Sequence, residues 1–274
     1  MKLALILLVP ILLLSACNSQ FNKVLKSTDY EYKLKVANEY FDAKKYSMAE
    51  QLYIELFPVF KGSEKFEQLY YKYAYCSYYQ KNYVDAENLF KGFLGFFPNS
   101  KNAEEITFMQ AMSFYKQSPR PELDQANTIK SIGMMQSFIN SYPNSSRIAE
   151  ANEVISKCRE KLEIKDYKSA QLYFNIQQYK AAGITFTNLM NTYPESKMGD
   201  EYLLLAIKSY YFYAKLSILD KQEARYEEVN KAYLDFLDRF PDSKLLPEAT
   251  EYNNLSQNNI KQIKDEQIKT PTDR

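Results

Sequence analysis

Small and aromatic residues recur along this chain at a fixed spacing that predicts paired helices. One copy consists of Ala74, Ala86, Phe90 and Pro98. Two further copies keep the spacing: Ala170, Ala182, Phe186 and Pro194, and then Ala37, Ala49 and Tyr53 without the proline. Small residues suit a point where two helices cross closely, and large apolar residues fill the groove towards the next pair. The pattern therefore predicts helix pairs stacked along the chain.

Proline marks the predicted ends of these pairs. An aromatic-Pro-x-Ser element occurs four times, as Phe97–Ser100, Tyr142–Ser145, Tyr193–Ser196 and Phe240–Ser243, with Phe57-Pro58 as a weaker copy. Proline disfavours the helical conformation of the residue before it, and serine can cap the next helix. We expect loops at Ser118–Gln125 and Lys215–Tyr226 to delay the second helix of the third and fifth pairs. Residues 147–176 contain no proline or glycine and predict one long helix or two abutting ones.

This organisation is similar to the tetratricopeptide repeat. We therefore predict an all-α fold, a right-handed solenoid of about five tetratricopeptide-like helix pairs in a single domain over residues 29–255. An irregular helical bundle is the alternative. Residues 256–274 are rich in polar side chains and predict a disordered tail.

The N-terminal segment has the composition of a secretory signal. Lys2 precedes an apolar run, Leu3–Leu14, of 12 residues, whereas a membrane span needs about 20. The string Leu14-Ser15-Ala16-Cys17 that ends it resembles the lipobox of bacterial lipoproteins. That resemblance implies a signal peptide over residues 1–16, cleavage between Ala16 and Cys17, and a lipid on the Cys17 thiol. Residues 17–28 would then form a tether, and the lipid would hold the protein on a membrane.

Composition excludes several function classes. Lys and Arg number 35 against 34 Asp and Glu, and no basic stripe appears, so we expect no nucleic-acid partner. The chain has no histidine, which excludes a Ser-His-Asp triad and a histidine-bound zinc. Adjacent carboxylates such as Glu104-Glu105 diverge around a helix. We therefore expect no catalytic residue, no metal and no cofactor besides the lipid. Cys76 and Cys158 are either buried thiols or a disulfide.

Residues 70–79 contain six tyrosines, which would cover every side of a helix. Tyr70, Tyr73 and Ala74 fall at packing positions and are assigned to the core. Tyr71, Tyr75 and Tyr78 could equally fill the core or line the concave face on which such solenoids bind peptides. These three are the candidate peptide-binding residues.

The lipobox, the short tether and the repeats together resemble the BamD family of outer membrane protein assembly factors. The strings Lys23–Asp29 and Ser118–Gln125 add to the resemblance, which covers residues 17–255. It implies a non-catalytic lipoprotein on the periplasmic face of the outer membrane, within the β-barrel assembly machinery.

In that family, C-terminal repeats bind periplasmic domains of the barrel-forming subunit. N-terminal repeats recognise unfolded β-barrel proteins through a C-terminal strand that ends in an aromatic residue. One departure is that residues 181–187 lack the basic residue that members carry on the docking face. A glycan-binding or other surface lipoprotein is the alternative function, and a periplasmic enzyme is a third.

Overall fold

The computed structural model describes residues 20–269, which consist of helices joined by turns and contain no strand. After a short helical segment at residues 20–25, the helices are α1 (Tyr30–Asp42), α2 (Tyr46–Phe60), α3 (Phe66–Tyr79), α4 (Tyr83–Phe96), α5 (Ala103–Gln117), α6 (Ala126–Ser141), α7 (Ile148–Asn175), α8 (Tyr179–Thr192), α9 (Gly199–Lys215), α10 (Leu219–Arg239) and α11 (Leu246–Lys269). The predicted all-α class is confirmed. The long helix predicted from residue 147 onwards is α7.

Packing divides the chain into two compact units, Met1–Arg159 and Glu160–Arg274, where the sequence predicts one domain over residues 29–255. The boundary lies inside α7, so this helix contributes its first residues to one unit and its last residues to the other. Within each unit, successive helices pack side by side. None of the helices in the described range combines the length and the apolar character that a membrane span requires.

The alanines of the repeated pattern are buried, as the sequence predicts for positions where helices cross. The side chains of six alanines have no exposed area: Ala37, Ala49, Ala74, Ala86, Ala170 and Ala182. The aromatic positions Tyr53, Phe90 and Phe186 are equally buried. A methyl group lets two helices approach closely, and the neighbouring rings fill the remaining space.

The turn within three of the helix pairs has one conformation. Lys44, Lys81 and Gln177 adopt positive φ angles of 58°, 66° and 62°, each two residues before the tyrosine that begins the next helix. After α3, the Asn82 N–H donates to the Ser77 carbonyl at 2.9 Å and the Lys81 N–H to the Tyr78 carbonyl at 3.0 Å. This is the Schellman cap of a helix C-terminus, which usually places glycine at the positive-φ position.

The aromatic-Pro-x-Ser elements join neighbouring helix pairs. Helices α4, α6, α8 and α10 each end directly before the aromatic residue, as predicted. The serine is not itself the N-cap: its Oγ accepts the N–H of the residue that precedes the next helix, as Ser145 does from Arg147 at 3.1 Å. In three elements the same hydroxyl donates to a carboxylate of the preceding pair: Ser100 to Glu67 at 2.5 Å, Ser145 to Glu104 at 2.5 Å, and Ser243 to Asp200 at 2.6 Å.

Two predicted helix boundaries are wrong. Pro58 does not end a helix, because α2 continues to Phe60; proline this close to the C-terminus removes one backbone hydrogen bond, and the helix ends two residues later. The loop expected to reach Tyr226 is short, since α10 begins at Leu219.

Both ends of the described chain are more ordered than the sequence predicts. Instead of a free tether, residues 20–25 are helical, with Phe21 and Val24 buried in the first unit. Instead of a disordered tail, residues 256–269 continue α11, where Ser256 and Ile260 are buried. In both segments a few apolar residues at helical spacing suffice, because a preformed core is available to receive them. Ala16 and Cys17 lie outside the described residues.

Candidate binding surfaces

An open groove lies between α1 and α3, the first helices of the first two pairs. Its volume is about 410 Å³, and its floor includes the buried side chains of Leu34 and Leu69. The rest of its lining is polar or charged: Glu31, Lys35, Asn38, Glu39, Asp42, Lys65 and Gln68. Such a groove offers apolar area below and hydrogen-bonding groups of both kinds along its rims.

Two ion pairs connect the helices on either side of this groove. Lys65 Nζ lies 2.5 Å from Glu31 Oε2, and Lys72 Nζ lies 3.4 Å from Asp42 Oδ1. Lys72 also lies over the ring of Phe41, with its Nζ 5.1 Å from the ring centre. These contacts bridge the two rims of the groove, and Lys35 and Glu39 between them are exposed.

A tyrosine–carboxylate cluster continues this face from α3 to α5. Tyr75 Oη donates to Glu105 Oε1 at 2.6 Å, and Tyr71 Oη donates to Glu105 Oε2 at 3.2 Å. Arg147 Nη2 lies 4.0 Å from the same carboxylate, and its guanidinium lies 4.7 Å from the ring centre of Phe108. One glutamate thus joins two helices and the segment before α7.

Burial raises the pKa of these tyrosines above the usual value of about 10. Burial, followed by the Glu105 charge, raises the pKa of Tyr71 to about 12. Burial and the hydrogen bond to Glu105 raise the pKa of Tyr75 further. Burial raises the pKa of Tyr78 to about 12 as well. All three hydroxyl groups therefore remain hydrogen-bond donors at neutral pH.

The structure separates the candidate peptide-binding tyrosines. Tyr75 is only 4% exposed and belongs to the core, whereas Tyr71 and Tyr78 are half-buried. The core assignment of Tyr70 and Ala74 is confirmed, whereas Tyr73, which the sequence also assigns to the core, is half-buried. Sequence reasoning missed Tyr79, which is 47% exposed and stacks on Tyr46 with the ring centres 4.7 Å apart. Its place as the last residue of α3 was the available signal, since a helix end has fewer neighbours.

The second unit presents an apolar turn between α9 and α10. Leu216, Ile218 and Leu219 are between 67% and 69% exposed. The turn is held by Ser217, whose Oγ donates to the Tyr213 carbonyl at 2.5 Å and accepts a hydrogen bond from Arg225, while its own carbonyl accepts from Gln222 at 2.9 Å. A fixed backbone with outward apolar side chains suits a protein contact, because little conformational entropy is lost on binding.

A second apolar patch of this unit lies near the end of α7. Leu172, Tyr173 and Ile176 are exposed there. Aromatic rings connect this patch with the end of α9, which precedes the apolar turn. The ring centres of Phe174 and Tyr179 are 5.4 Å apart, and Tyr179 stacks on Phe212 with the ring centres 5.2 Å apart. The ends of α7 and α9 therefore belong to one apolar end of the second unit.

Neither unit assembles a metal site or a disulfide within the described range. Residues 20–269 contain no group of three Cys, Asp or Glu side chains placed to hold a metal ion. Cys76 and Cys158 do not form a disulfide, and both are buried. Burial raises the pKa of the Cys76 thiol.

Comparison with known proteins identifies relatives at low identity. Residues 30–227 match the model of a family described as YfiO, outer membrane lipoprotein. A protein of Aquifex aeolicus named for outer membrane protein assembly factor BamD is 27% identical over 132 residues, covering 48% of this chain and 43% of that protein. The corresponding BamD of Rickettsia prowazekii is 23% identical over 169 residues, covering 62% of this chain and 67% of that protein.

The chain thus spans less than half the length of the Aquifex relative. Among solved structures, a TPR repeats protein from Bacteroides fragilis aligns with a TM-score of 0.43 and 16% identity, over 87% of this chain and 99% of its own.

Proposed function

This chain belongs to the YfiO family of outer membrane lipoproteins, and on that basis we propose that it is a non-catalytic subunit of the machinery that assembles β-barrel proteins in the outer membrane. In this proposal, it is attached by a lipid on Cys17 to the periplasmic face of the membrane. Its first unit binds unfolded β-barrel proteins, and its second unit binds the periplasmic domains of the barrel-forming subunit.

The groove between α1 and α3 is the observation that supports peptide binding. Its apolar floor at Leu34 and Leu69 fits alternate side chains of an extended strand. Its rims carry charges of both signs, and Lys35 is exposed to meet a terminal carboxylate. The half-buried ring of Tyr71 on α3 adds a surface for an aromatic residue, whereas Tyr75 serves the core.

A groove-filling substitution tests this assignment. Gln68→Arg places a longer side chain in the groove at an exposed position of α3, so we expect weaker binding of a C-terminal β-barrel peptide with unchanged stability. Gln51→Arg, at an exposed position of α2 outside the groove, is the matched control. Fluorescence anisotropy of a labelled peptide measures the dissociation constant. Equal affinities for the two variants would remove the groove from the proposal.

The apolar turn of the second unit supports docking of a protein partner. Leu216 and Ile218 cover little core, so the double variant Leu216→Ser/Ile218→Ser should fold normally and lose the barrel-forming subunit in co-purification from detergent-solubilised membranes. Leu234→Ser, at an exposed position of α10, should retain the subunit. Mass spectrometry of the co-purified proteins identifies the partner. If the double variant retains it in full, docking uses another surface.

A further inference from the structure

The structure fixes where the chain leaves the first unit towards Cys17. The ring of Phe21 lies 5.8 Å from the ring of Tyr40, near the end of α1. The Nζ of Lys45, in the turn after α1, lies 5.7 Å from the centre of that same ring. Three peptide links separate Gln20 from Cys17, which spans at most about 11 Å. A lipid on Cys17 would therefore enter the bilayer beside the α1–α2 turn.

Contacts within the core hold this exit point in place. Lys33 is buried, and its Nζ donates to the Leu25 carbonyl at 2.7 Å and to Glu55 Oε2 at 2.6 Å. The ammonium thus ties the segment after Cys17 to α1 and α2. Because the segment is fixed, a link of only three peptide bonds restricts the orientation of the first unit on a membrane.

Two turns share this end of the first unit. The stacked rings of Tyr46 and Tyr79, with centres 4.7 Å apart, place the α1–α2 turn against the α3–α4 turn. We name residues 43–46 and 79–84 the turn edge. Besides Tyr79, it exposes Val84, which is 60% accessible.

The charge of the turn edge is positive. Its charged side chains are Lys44, Lys45 and Lys81, all exposed. Of the flanking acids, Asp42 pairs with Lys72 at 3.4 Å, and Asp85 is exposed at the start of α4. Exposed lysines beside tyrosine and valine form the combination that favours the boundary between lipid headgroups and acyl chains.

We infer that the turn edge rests on the anionic phospholipid surface that receives the lipid of Cys17. This inference depends on the lipid attachment within the proposed function and adds a second, electrostatic contact to it. The ammonium groups lie at the level of the phosphates, while Tyr79 and Val84 reach the acyl-chain boundary. The groove between α1 and α3 is then held at a fixed height above the membrane.

Tryptophan fluorescence tests this contact directly, because the chain contains no tryptophan of its own. Val84→Trp places a reporter on the turn edge. Val59→Trp is the matched control: Val59 is 44% exposed and lies near the other end of α2, about 20 Å along the helix from Tyr46. The lipidated mature variants, which begin at Cys17, are placed in vesicles of phosphatidylethanolamine and phosphatidylglycerol with brominated acyl chains.

We expect the emission of Val84→Trp to shift to shorter wavelength and to be quenched, and that of Val59→Trp to remain unquenched. Adding Lys44→Glu, Lys45→Glu and Lys81→Glu to Val84→Trp should reduce the quenching severalfold. If the tryptophan emission of Val84→Trp in vesicles were not quenched, the inference would be overturned, and a protein would be the expected partner of the turn edge. If the three Lys→Glu substitutions left the quenching of Val84→Trp unchanged, the contact between the lysines and the lipid phosphates would be overturned.

Vesicle flotation separates this inference from its premise. Every variant should float with the vesicles, because the lipid remains in place. Failure of all variants to float would overturn the lipid attachment and the inference with it. Co-purification of the barrel-forming subunit is measured independently, so the proposed assembly function can hold even if the turn edge does not contact the membrane.

Discussion

Tyr75 on α3 donates a hydrogen bond of 2.6 Å to Glu105 on α5, and Tyr71, one helical turn earlier, donates to the other oxygen of the same carboxylate at 3.2 Å. The hydroxyl groups of two side chains that sequence reasoning offers to a ligand thus have a partner within the protein, while the Tyr71 ring stays half-buried. These two hydrogen bonds join the second helix pair to the third, because Glu105 lies 30 positions after Tyr75 and 34 after Tyr71.

Tyr75→Phe should therefore lower the free energy of unfolding by about 2 kcal/mol, the typical loss of a hydrogen bond to a charged group. Tyr71→Phe should cost less, because its hydrogen bond is longer and water can replace it at a half-buried side chain. Urea denaturation followed by circular dichroism measures both. If the two variants lost equal free energies of unfolding, the hydrogen bonds of Tyr75 and Tyr71 to Glu105 would be equally strong, contrary to this prediction.

Alkaline pH should destabilise the protein through its buried tyrosines. Burial raises the pKa of Tyr71 and of Tyr78 to about 12, above the usual value of about 10. As the pH rises, the unfolded chain loses these protons before the folded protein does. The contribution of the two tyrosines to the free energy of unfolding is therefore complete below about pH 10 and is lost as the pH rises to about 12.

The urea midpoint, measured at intervals between pH 9 and pH 12, should fall across this window. The double variant Tyr71→Phe/Tyr78→Phe should show a smaller fall than the wild-type protein. An identical pH dependence would mean that these hydroxyls are equally hydrated in both states.

Ser145→Ala should weaken the junction between the third helix pair and the start of α7 within the first unit. The serine hydroxyl donates to Glu104 at 2.5 Å and accepts the Arg147 N–H at 3.1 Å. Its removal should cost about 1 kcal/mol of stability. The exposed neighbour Ser146→Ala is the control, expected to melt like the wild-type protein. A melting temperature for Ser145→Ala equal to that of the control would contradict the predicted contact.

Lys81→Gly should stabilise the protein. Lys81 has a φ of 66° in the Schellman cap of α3, a conformation that costs a side-chain-bearing residue about 1–2 kcal/mol, part of which glycine loses again as chain entropy. We expect a net gain of about 0.5–1 kcal/mol. Lys91→Gly, inside α4, should instead lose about 1 kcal/mol. Chemical denaturation gives both values, and destabilisation by Lys81→Gly would show that the lysine side chain makes a stabilising contact.

The sequence by itself determined the helix pairs and their register. Alanines spaced twelve residues apart, such as Ala74 and Ala86, are fully buried where the spacing predicts. Proline and the preceding aromatic residue mark the end of α4 and of three other helices. These features are local, because helical periodicity and the effect of proline on its neighbour act within a few residues.

Only the tertiary structure decided which tyrosines are available to a ligand. Six tyrosines project from all sides of α3, and their spacing does not indicate which side α5 covers. Tyr75 is buried and bonds Glu105, which lies 30 residues away in the sequence, whereas Tyr79 at the end of the helix remains exposed. The same holds for the chain ends, where Phe21 and Ile260 are ordered by cores built from distant residues. Helix formation depends on neighbours in sequence, whereas burial depends on which helices cross, and that is fixed only when the units pack.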